Sequence, residues 1–232
     1  MKPILIGERY REILENQLKM HGFEPIWLPD NPEVDPRLAG HADLSIFCDN
    51  HHAVLAKHLT REDYIVNYLT FHDIAWKTAN EQGADYPQDA ALCAVIIGGK
   101  LYHKLSITDK SVRLLCPYRT VAINQGYARC AVCCVDENSI ITADPGIARA
   151  ASSNGADVLK IAGSGFVLQG FNEGFIGGST FTDFRNKTVY FTGHLDRCDD
   201  KTRILDFISA KGCRAVFLTQ TRAFDIGSAV VL

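Results

Sequence analysis

Apolar positions along this chain fall into short runs that repeat in a fixed order. The clearest example spans Gly126–Ile161. Within it, apolar runs at residues 130–135 and 139–143 are separated by the polar segment 136–138, which reads Asp-Glu-Asn. Two short apolar runs joined by turn-forming residues predict a hairpin of two strands.

A short helix and a third strand complete this unit. Asp144 can cap the helix, and Pro145 suits its first turn because that position needs no backbone N–H. Gly155 is predicted to end the helix, and the apolar run 157–161 predicts the third strand. The stretch therefore has the order strand, strand, helix, strand.

The same order recurs along the rest of the chain. In KMHGFEPIWL, SSNGADVLKI and SAKGCRAVFL, a glycine follows a predicted helix and precedes an apolar strand. Units begin near Asp43, Cys93, Cys130, Gly174 and Ile226, and their first strands are predicted at residues 44–48, 93–97, 130–135, 175–181 and 228–232.

Both ends of the chain contribute to the last unit. Its first strand stands at the C terminus, and a strand at 4–7, a helix at 8–20 and a strand at 23–28 supply the remainder. We therefore expect one α/β domain over residues 1–232 with five pseudosymmetric strand–strand–helix–strand units. A unit shared by the two termini predicts a closed ring, because a closed ring leaves no open sheet edge.

Composition narrows the possible partners. The chain has 232 residues, of which 47% are hydrophobic and 22% charged, with a formal net charge of -3. This balance is typical of a soluble globular protein and argues against nucleic acid or an anionic membrane as partner. No apolar run approaches the ~20 residues that a membrane helix needs. Because Met1 leads directly into the first strand, we expect no signal peptide and a cytoplasmic location.

The eight cysteines lie mostly inside apolar runs, so we expect reduced thiols in an intracellular protein. Cys130, Cys133 and Cys134 resemble a metal-binding spacing. However, residues three apart on a strand point to opposite faces, and no second ligand pair lies at zinc spacing. We therefore expect these cysteines to pack within the sheet. We also expect His51, His52 and His58 to be solvated side chains, with no metal and no cofactor.

Two stretches resemble a known family. Residues 125–132 with 139–142 are similar to the agmatine deiminase stretch that begins Glu-Gly-Gly, and residues 174–177 with 188–191 to the stretch in which those enzymes carry Gly-His-Ile-Asp. Together with the five units, they make the chain resemble the pentein superfamily. This fold is the five-bladed α/β-propeller of guanidino-modifying enzymes, amidinotransferases among them, and of a ribosome anti-association factor.

The resemblance implies a cysteine nucleophile, a histidine and acidic residues that grip a guanidinium group, yet the matched positions differ. Gln125 stands where the family has an acidic residue, Phe175 where it has histidine, and Gly177 where it has the acidic neighbour. The final unit, residues 226–232, contains no cysteine. We therefore expect a pentein fold without the usual guanidino-hydrolase chemistry.

The leading hypothesis is a protein that binds a small polar ligand, bearing an amine, amide or guanidino-like group, in the central channel. Polar residues between third and first strands are predicted to converge at one end of that channel. The candidate ligand-binding residues are Asn31, Asn124, Gln125, Arg129, Asn172, Glu173 and Asp225.

Two alternatives remain open. The first is a divergent hydrolase or amidinotransferase in which Cys130, with a pKa lowered by Arg129, works with His194 or Glu173. A simpler explanation for the segment around His194 is a loop in which Asp196, Asp199 or Asp200 caps the next helix. The second alternative is an interaction module analogous to the ribosomal factor. The sequence leaves the oligomeric state open.

Overall fold

The strands of this chain assemble into five small sheets of three strands each. The structure is a computed structural model that describes residues 1–49, 51–80 and 82–232. The strands are β1 (Lys2–Gly7), β2 (Phe23–Leu28), β3 (Ile46–Cys48), β4 (His52–Leu55), β5 (Ala75–Thr78), β6 (Val95–Ile97), β7 (Lys100–His103), β8 (Arg119–Ala122), β9 (Val132–Cys134), β10 (Ser139–Thr142), β11 (Asp157–Lys160), β12 (Thr180–Asp183), β13 (Thr188–Phe191), β14 (Arg214–Phe217) and β15 (Val230–Val231). The α-helices are α1 (Arg11–Met20), α2 (Ala42–Ser45), α3 (Asp63–Phe71), α4 (Lys110–Leu115), α5 (Pro145–Ser153) and α6 (Lys201–Ala210), and 3₁₀ turns span Glu8–Tyr10, Leu59–Arg61 and Gln88–Ala90.

Every sheet has the same topology. Its middle strand pairs antiparallel with one neighbour and parallel with the other, which follows after a helical crossover. In four of the sheets a hairpin joins the antiparallel pair. A parallel pair needs such a crossover, because the chain must return to the end where the strand began. The five sheets are thus consistent with the five predicted repeat units.

The termini share one sheet, as the sequence pattern predicts. In it, β15 from the C terminus pairs antiparallel with β1, with Ile4 opposite Val231 and Leu5 opposite Val230. Strand β1 also pairs in parallel with β2, over residues Lys2–Gly7 and Phe23–Leu28.

The stretch Gly126–Ile161 has the predicted order of elements, with strands β9 and β10, helix α5 and strand β11. Asp144 caps α5, because its Oδ1 accepts hydrogen bonds from the N–H groups of Gly146 (2.7 Å) and Ile147 (2.8 Å). Gly155 follows the helix with a positive φ of 91°, a conformation that glycine adopts at no steric cost.

The first strand of each unit begins later than the apolar pattern predicts. Observed starts are residues 46, 95, 132, 180 and 230, against predicted starts of 44, 93, 130, 175 and 228. The intervening residues are mostly buried, so their apolar pattern resembles that of a strand, but they form turns, irregular segments and the short helix α2. These segments include Cys93 and Cys130, whose side chains are buried.

The core is divided among the sheets. In the sheet shared by the termini, Leu14 and Leu18 of α1 pack in one cluster with Ile4, Ile6 and Phe23 of β1 and β2. Aromatic rings of neighbouring sheets join it, with Phe181 stacked on Tyr190 and in edge contact with Phe23. Among the described residues, no helix has the length and apolar character required to cross a membrane.

Candidate functional site

The first strands of all five sheets line one cavity of about 410 Å³. Phe47 of β3, Val95 of β6, Cys134 of β9, Thr182 of β12 and Val230 of β15 all contribute to its wall. A cavity of this volume is in the range that accommodates small molecules. It lies at the hairpin ends of the sheets, since turn residues Asp49, Gly99, Glu137 and Arg185 line it too.

Arg129 is the cation of interest in this cavity. Its side chain is half-buried, and Nη1 donates a hydrogen bond to the carbonyl oxygen of Val132 at 3.3 Å. Within the described parts of the chain, no carboxylate lies within ion-pair distance of this guanidinium. A partly desolvated guanidinium with unused donors is suited to bind a carboxylate or phosphate in bidentate fashion.

The cavity also carries negative charge. Burial tends to raise the pKa of Asp49, but hydrogen bonds from the backbone N–H groups of His51 and His52 and from the Tyr118 hydroxyl lower it below its ordinary value. Asp49 is therefore a carboxylate anion near neutral pH. Asp183, which also lines the cavity, is ion-paired with Lys2.

A second, smaller cavity of about 30 Å³ adjoins the first. Both are lined by Phe47, Arg129 and Val230, and the smaller one also touches Asp43 and Ser228. Its volume is enough for a single water molecule or ion. Together the two cavities extend from the hairpin ends of the first strands toward their entry ends, the ends at which the chain enters each of these strands.

A buried cluster of polar side chains lies at those entry ends. Asp43 Oδ2 accepts hydrogen bonds from the thiols of Cys93 (3.0 Å) and Cys130 (2.7 Å). His41 lies beside them, with Nδ1 3.9 Å from Asp225 Oδ1. All five residues are at most 4% exposed. Burial raises the pKa of Cys93 to about 11 and the pKa of Cys130 well above its ordinary value, so both are protonated thiols at neutral pH.

Asp225 is held by the backbone around it. Its Oδ2 accepts the N–H of Phe175 at 2.8 Å, and its Oδ1 accepts the N–H of Gly227 at 2.9 Å. Burial raises the pKa of Asp225, and the nearby His41 and the two N–H groups lower it in part.

The segment 29–40 covers this cluster from outside. Its residues Val34 and Leu38 pack with Cys93 and Cys130 in one apolar group, and Phe175 contacts the same group. Arg37 fastens the segment, since its guanidinium donates to the carbonyl of Gly170 at 3.0 Å and lies 4.3 Å from the centre of the Phe171 ring. This end of the channel is therefore closed by packed side chains.

The predicted ligand-binding residues do not share one location in the structure. Arg129 lines the cavity, and Asp225 belongs to the buried cluster. Asn31 is buried and bonded to Gln82 and the Leu44 carbonyl. The other four do not line the cavity, and two of them, Asn124 and Asn172, are exposed. The side chain of Gln125 accepts the N–H of Tyr127 and approaches Asp144. Glu173 is exposed and accepts the N–H of Gly165.

The catalytic hypothesis pairs Cys130 with His194 or Glu173, and the structure gives each of these side chains other hydrogen-bond partners. Cys130 contacts Asp43, whereas His194 Nε2 is bonded to Gln220 at 3.2 Å and its ring stacks on Phe217. The expectation that Arg129 lowers the pKa of Cys130 is wrong, because burial raises that pKa instead.

The expected helix cap after His194 is also only half right. Asp200 does occupy the cap position of α6, but its side chain makes no capping bond there. Its Oδ2 accepts the backbone N–H of Ala162 at 2.6 Å instead, and its Oδ1 pairs with Arg203. The carboxylate therefore fastens the chain after β11 to this helix.

Close packing explains one departure from the guanidino-enzyme pattern. A Cβ at Gly177 would lie 2.3–2.5 Å from the carbonyl oxygens of Arg129, Cys130 and Val132, so no side chain fits there. A carboxylate at this position would require the backbone of the neighbouring unit to move. Phe175, at the histidine position, lies half-buried against Tyr127, with ring centres 6.3 Å apart.

Three residues of the buried cluster, His41, Asp43 and Cys93, were not among the sequence candidates. A signal for two of them was present, because Asp43, Cys93 and Cys130 each stand where a repeat unit begins. A closed ring, as expected from the sequence, would bring equivalent positions of its units together. Comparing the residues at the same position of each unit would have found them.

The structure resembles solved enzymes over nearly its whole length. DDAH from Pseudomonas aeruginosa, in complex with citrulline, aligns with a TM-score of 0.58 and 11% identity, covering 100% of this chain and 99% of that one. SxtG, an amidinotransferase of saxitoxin biosynthesis from Microseira wollei, aligns with a TM-score of 0.53 and 8% identity, covering 99% of this chain and 93% of that one. Inosamine-phosphate amidinotransferase StrB1 from Streptomyces griseus aligns with a TM-score of 0.51 and 9% identity, with the same coverage.

These likenesses confirm the predicted resemblance to the pentein enzymes at the level of the fold. At such low identity they carry no activity over to this chain. No curated protein matches the sequence. A family model does match residues 5–230, and the chain accordingly belongs to the family of unknown function DUF6873.

Proposed function

We propose that this protein closes its five units into a pentein ring and binds a small polar molecule in the central cavity without hydrolysing it. The observation that carries the proposal is the cavity of about 410 Å³, which all five first strands line and in which Arg129 has no ionic partner among the described residues. Burying a guanidinium costs free energy unless an anion offsets it, so this side chain favours a bound anionic group.

Charge at the cavity suggests which molecules fit. Arg129 offers paired N–H donors to a carboxylate, while Asp49 offers an anion to an amine or guanidinium. A molecule with groups of both signs, such as an amino acid with a basic side chain, would satisfy both. This class includes the amine- and guanidino-bearing ligands that the sequence leads us to expect.

Two observations argue against hydrolysis. The thiols of Cys93 and Cys130 are buried, protonated and bonded to Asp43, so neither offers a thiolate to a ligand in the cavity. His194, the candidate proton carrier, is bonded to Gln220 instead of a thiol.

All eight cysteines are free, which supports the cytoplasm as the site of action.

Titration calorimetry with arginine and agmatine tests the proposal. Agmatine lacks the carboxylate, so arginine should bind more tightly if Arg129 holds that group. Arg129→Gln should weaken arginine binding by about 10–100-fold, as expected for the loss of charged hydrogen bonds, and leave agmatine binding nearly unchanged. Arg149→Gln, on the exposed face of α5, is the matched control and should bind like the wild type.

Activity is measured on the same samples. We expect no release of citrulline or ammonia from arginine, agmatine or methylarginines above the rate of a protein-free blank. Turnover at ordinary enzyme rates would refute the non-catalytic part of the proposal. Equal binding of arginine by the wild type and Arg129→Gln would refute the assignment of the cavity.

A further inference from the structure

Two polar atoms in the buried cluster have no hydrogen-bond partner within the described residues. They are Nε2 of His41, which is 2% exposed, and Oδ1 of Asp43, which is 4% exposed. Buried polar atoms are almost always hydrogen-bonded, because leaving one unpaired forfeits its interaction with water. His41 and Asp43 each form a close triad that contains Cys130, which points to a polar species beside this sulfur.

The surrounding donors are those that bind metal ions. One ligand atom each from Asp43, Cys93 and Cys130 lies within 4.8 Å of the others, and the same holds for His41, Cys130 and Asp225. The two triads share Cys130. Two sulfurs, an imidazole and a carboxylate form a donor set that zinc prefers, whereas magnesium and calcium favour oxygen alone.

We propose that Asp43, Cys93 and Cys130, with His41 as the fourth ligand, bind a divalent cation of the zinc class at the entry ends of the first strands. This departs from the expectation of no metal drawn from the sequence. That expectation considered the spacing of Cys130, Cys133 and Cys134 along one strand, whereas these ligands come from the starts of three different units.

The observed distances between Asp43 and the two sulfurs require only small movements. In a tetrahedral site with metal–sulfur bonds of ~2.3 Å and metal–oxygen bonds of ~2.0 Å, oxygen and sulfur ligands lie roughly 3.5 Å apart. Asp43 Oδ2 is now 2.7 Å and 3.0 Å from the two sulfurs, as befits hydrogen bonds from protonated thiols. Replacing the two thiol protons by one cation would therefore spread these atoms by about 0.5–0.8 Å.

Proton and charge balance follow from the ligands. Each thiol loses its proton to solvent when its sulfur binds the ion, so two protons leave for each divalent cation that enters. The cation's two positive charges offset the two thiolates. No oxidant, reductant or other reactant is needed.

Asp225 acts as a positioning residue in this proposal. Backbone N–H groups of Phe175 and Gly227 already hold its carboxylate, which faces His41 Nδ1 at 3.9 Å. A carboxylate beside the non-ligating nitrogen of a histidine orients the ring and makes its other nitrogen a better ligand. The cavity of about 30 Å³ beside Asp43 leaves room for a water molecule near the ion.

Cobalt titration of the full-length protein tests this site. The protein is reduced and stripped with a chelator, then titrated with Co²⁺, whose thiolate complexes absorb in the near ultraviolet. We expect one equivalent to produce this band and Zn²⁺ to abolish it by displacement. Zinc should also raise the unfolding temperature of the wild type, because it binds only the folded site.

Cysteine variants locate the ion. Cys93→Ser and Cys130→Ser should each weaken or remove the thiolate band, and Asp225→Asn should lower affinity by about 10–100-fold while keeping the band. Cys133→Ser is the matched control, because this cysteine is also fully buried but makes no contact with the cluster's carboxylates; it should titrate like the wild type.

Several results would overturn the proposal. Absence of the band in the reduced wild type would do so regardless of whether any variant folds. Loss of the band in Cys116→Ser alone would assign the ion to the triad of Asp49, His52 and Cys116 instead. A disulfide between Cys93 and Cys130 in protein purified without reductant, together with no metal uptake after reduction, would identify the pair as a redox couple.

Discussion

His103 should make the stability of this protein depend steeply on pH. His103 is the last residue of β7, and its side chain is 0% exposed. Its Nε2 lies 2.9 Å from the carbonyl oxygen of Gly126, which can only accept a hydrogen bond, so Nε2 must carry the proton. Nδ1 then accepts a bond from the Thr108 hydroxyl at 2.8 Å. The neutral ring is satisfied on both sides and joins the second unit to the loop that precedes Arg129.

Protonation would add a hydrogen to Nδ1, the atom to which the Thr108 hydroxyl now donates. Burial lowers the pKa of His103 from its ordinary 6.5 to about 4, while the bond to the Gly126 carbonyl opposes this shift in part. Because the folded-state pKa is the lower one, the unfolded chain binds more protons between the two values. The stabilisation is therefore complete above about pH 6.5 and is lost progressively as the pH falls toward about 4.

The size of the effect follows from the shift. Each unit of pKa difference corresponds to about 1.4 kcal/mol, so a shift from 6.5 to about 4 amounts to roughly 3 kcal/mol. Urea unfolding at pH values from about 7.5 to about 4 measures this quantity in the wild type and in His103→Gln. We expect the free energy of unfolding of the wild type to fall by about 3 kcal/mol more than that of the variant across this window.

A matched control separates His103 from the other titrating groups. The exposed His72, changed to Gln, should retain the pH dependence of the wild type. At about pH 7, His103→Gln should itself cost about 1–3 kcal/mol, because buried partners lose a hydrogen bond. If the wild type and His103→Gln lose stability in parallel as the pH falls, the assigned burial and tautomer of His103 are wrong.

Two further predictions concern the backbone and a helix cap. Gly177→Ala should lower the free energy of unfolding by about 1–3 kcal/mol or more, because its Cβ would meet three carbonyl oxygens at 2.3–2.5 Å. The control is Gly146→Ala, which should change the free energy of unfolding far less, because the nearest atom to its Cβ is a carboxylate oxygen of Asp144 at 3.0 Å. Asp144→Ala should cost about 1 kcal/mol by removing the two capping bonds of α5, whereas Asp206→Ala on the exposed face of α6 should stay within about 0.5 kcal/mol. Urea unfolding at neutral pH measures all four variants, and a harmless Gly177→Ala or a neutral Asp144→Ala would contradict the contacts described.

Local signals predicted much of the repeat. The cap formed by Asp144 and the helix end at Gly155 were both correct, because each depends on residues adjacent in the sequence. Hairpins such as β9 with β10 followed from apolar runs separated by polar turns. Strand starts were predicted too early because burial near the centre makes turn residues apolar as well.

The candidate site was harder to predict. Of the residues proposed to bind a ligand, Arg129 lines the cavity, while Glu173 and Asn172 lie exposed in the loop after β11. Polar residues between strands were expected to converge, but loops can turn outward as well as inward, and no local signal distinguishes the two. Packing of the segment 29–40 over Cys93 and Cys130 closes the end of the channel where the ligand was expected.

The amino-acid sequence by itself predicted the α/β class, five repeated units, with which the five three-stranded sheets are consistent, and the sharing of one sheet between the two termini. These depend on apolar periodicity and turn residues, which act over a few positions. Only the tertiary structure decided that Asp43, Cys93 and Cys130 meet in one buried cluster and that the open cavity lies at the hairpin ends. Such contacts join residues 50 and 87 positions apart, and their formation depends on how whole units pack against one another.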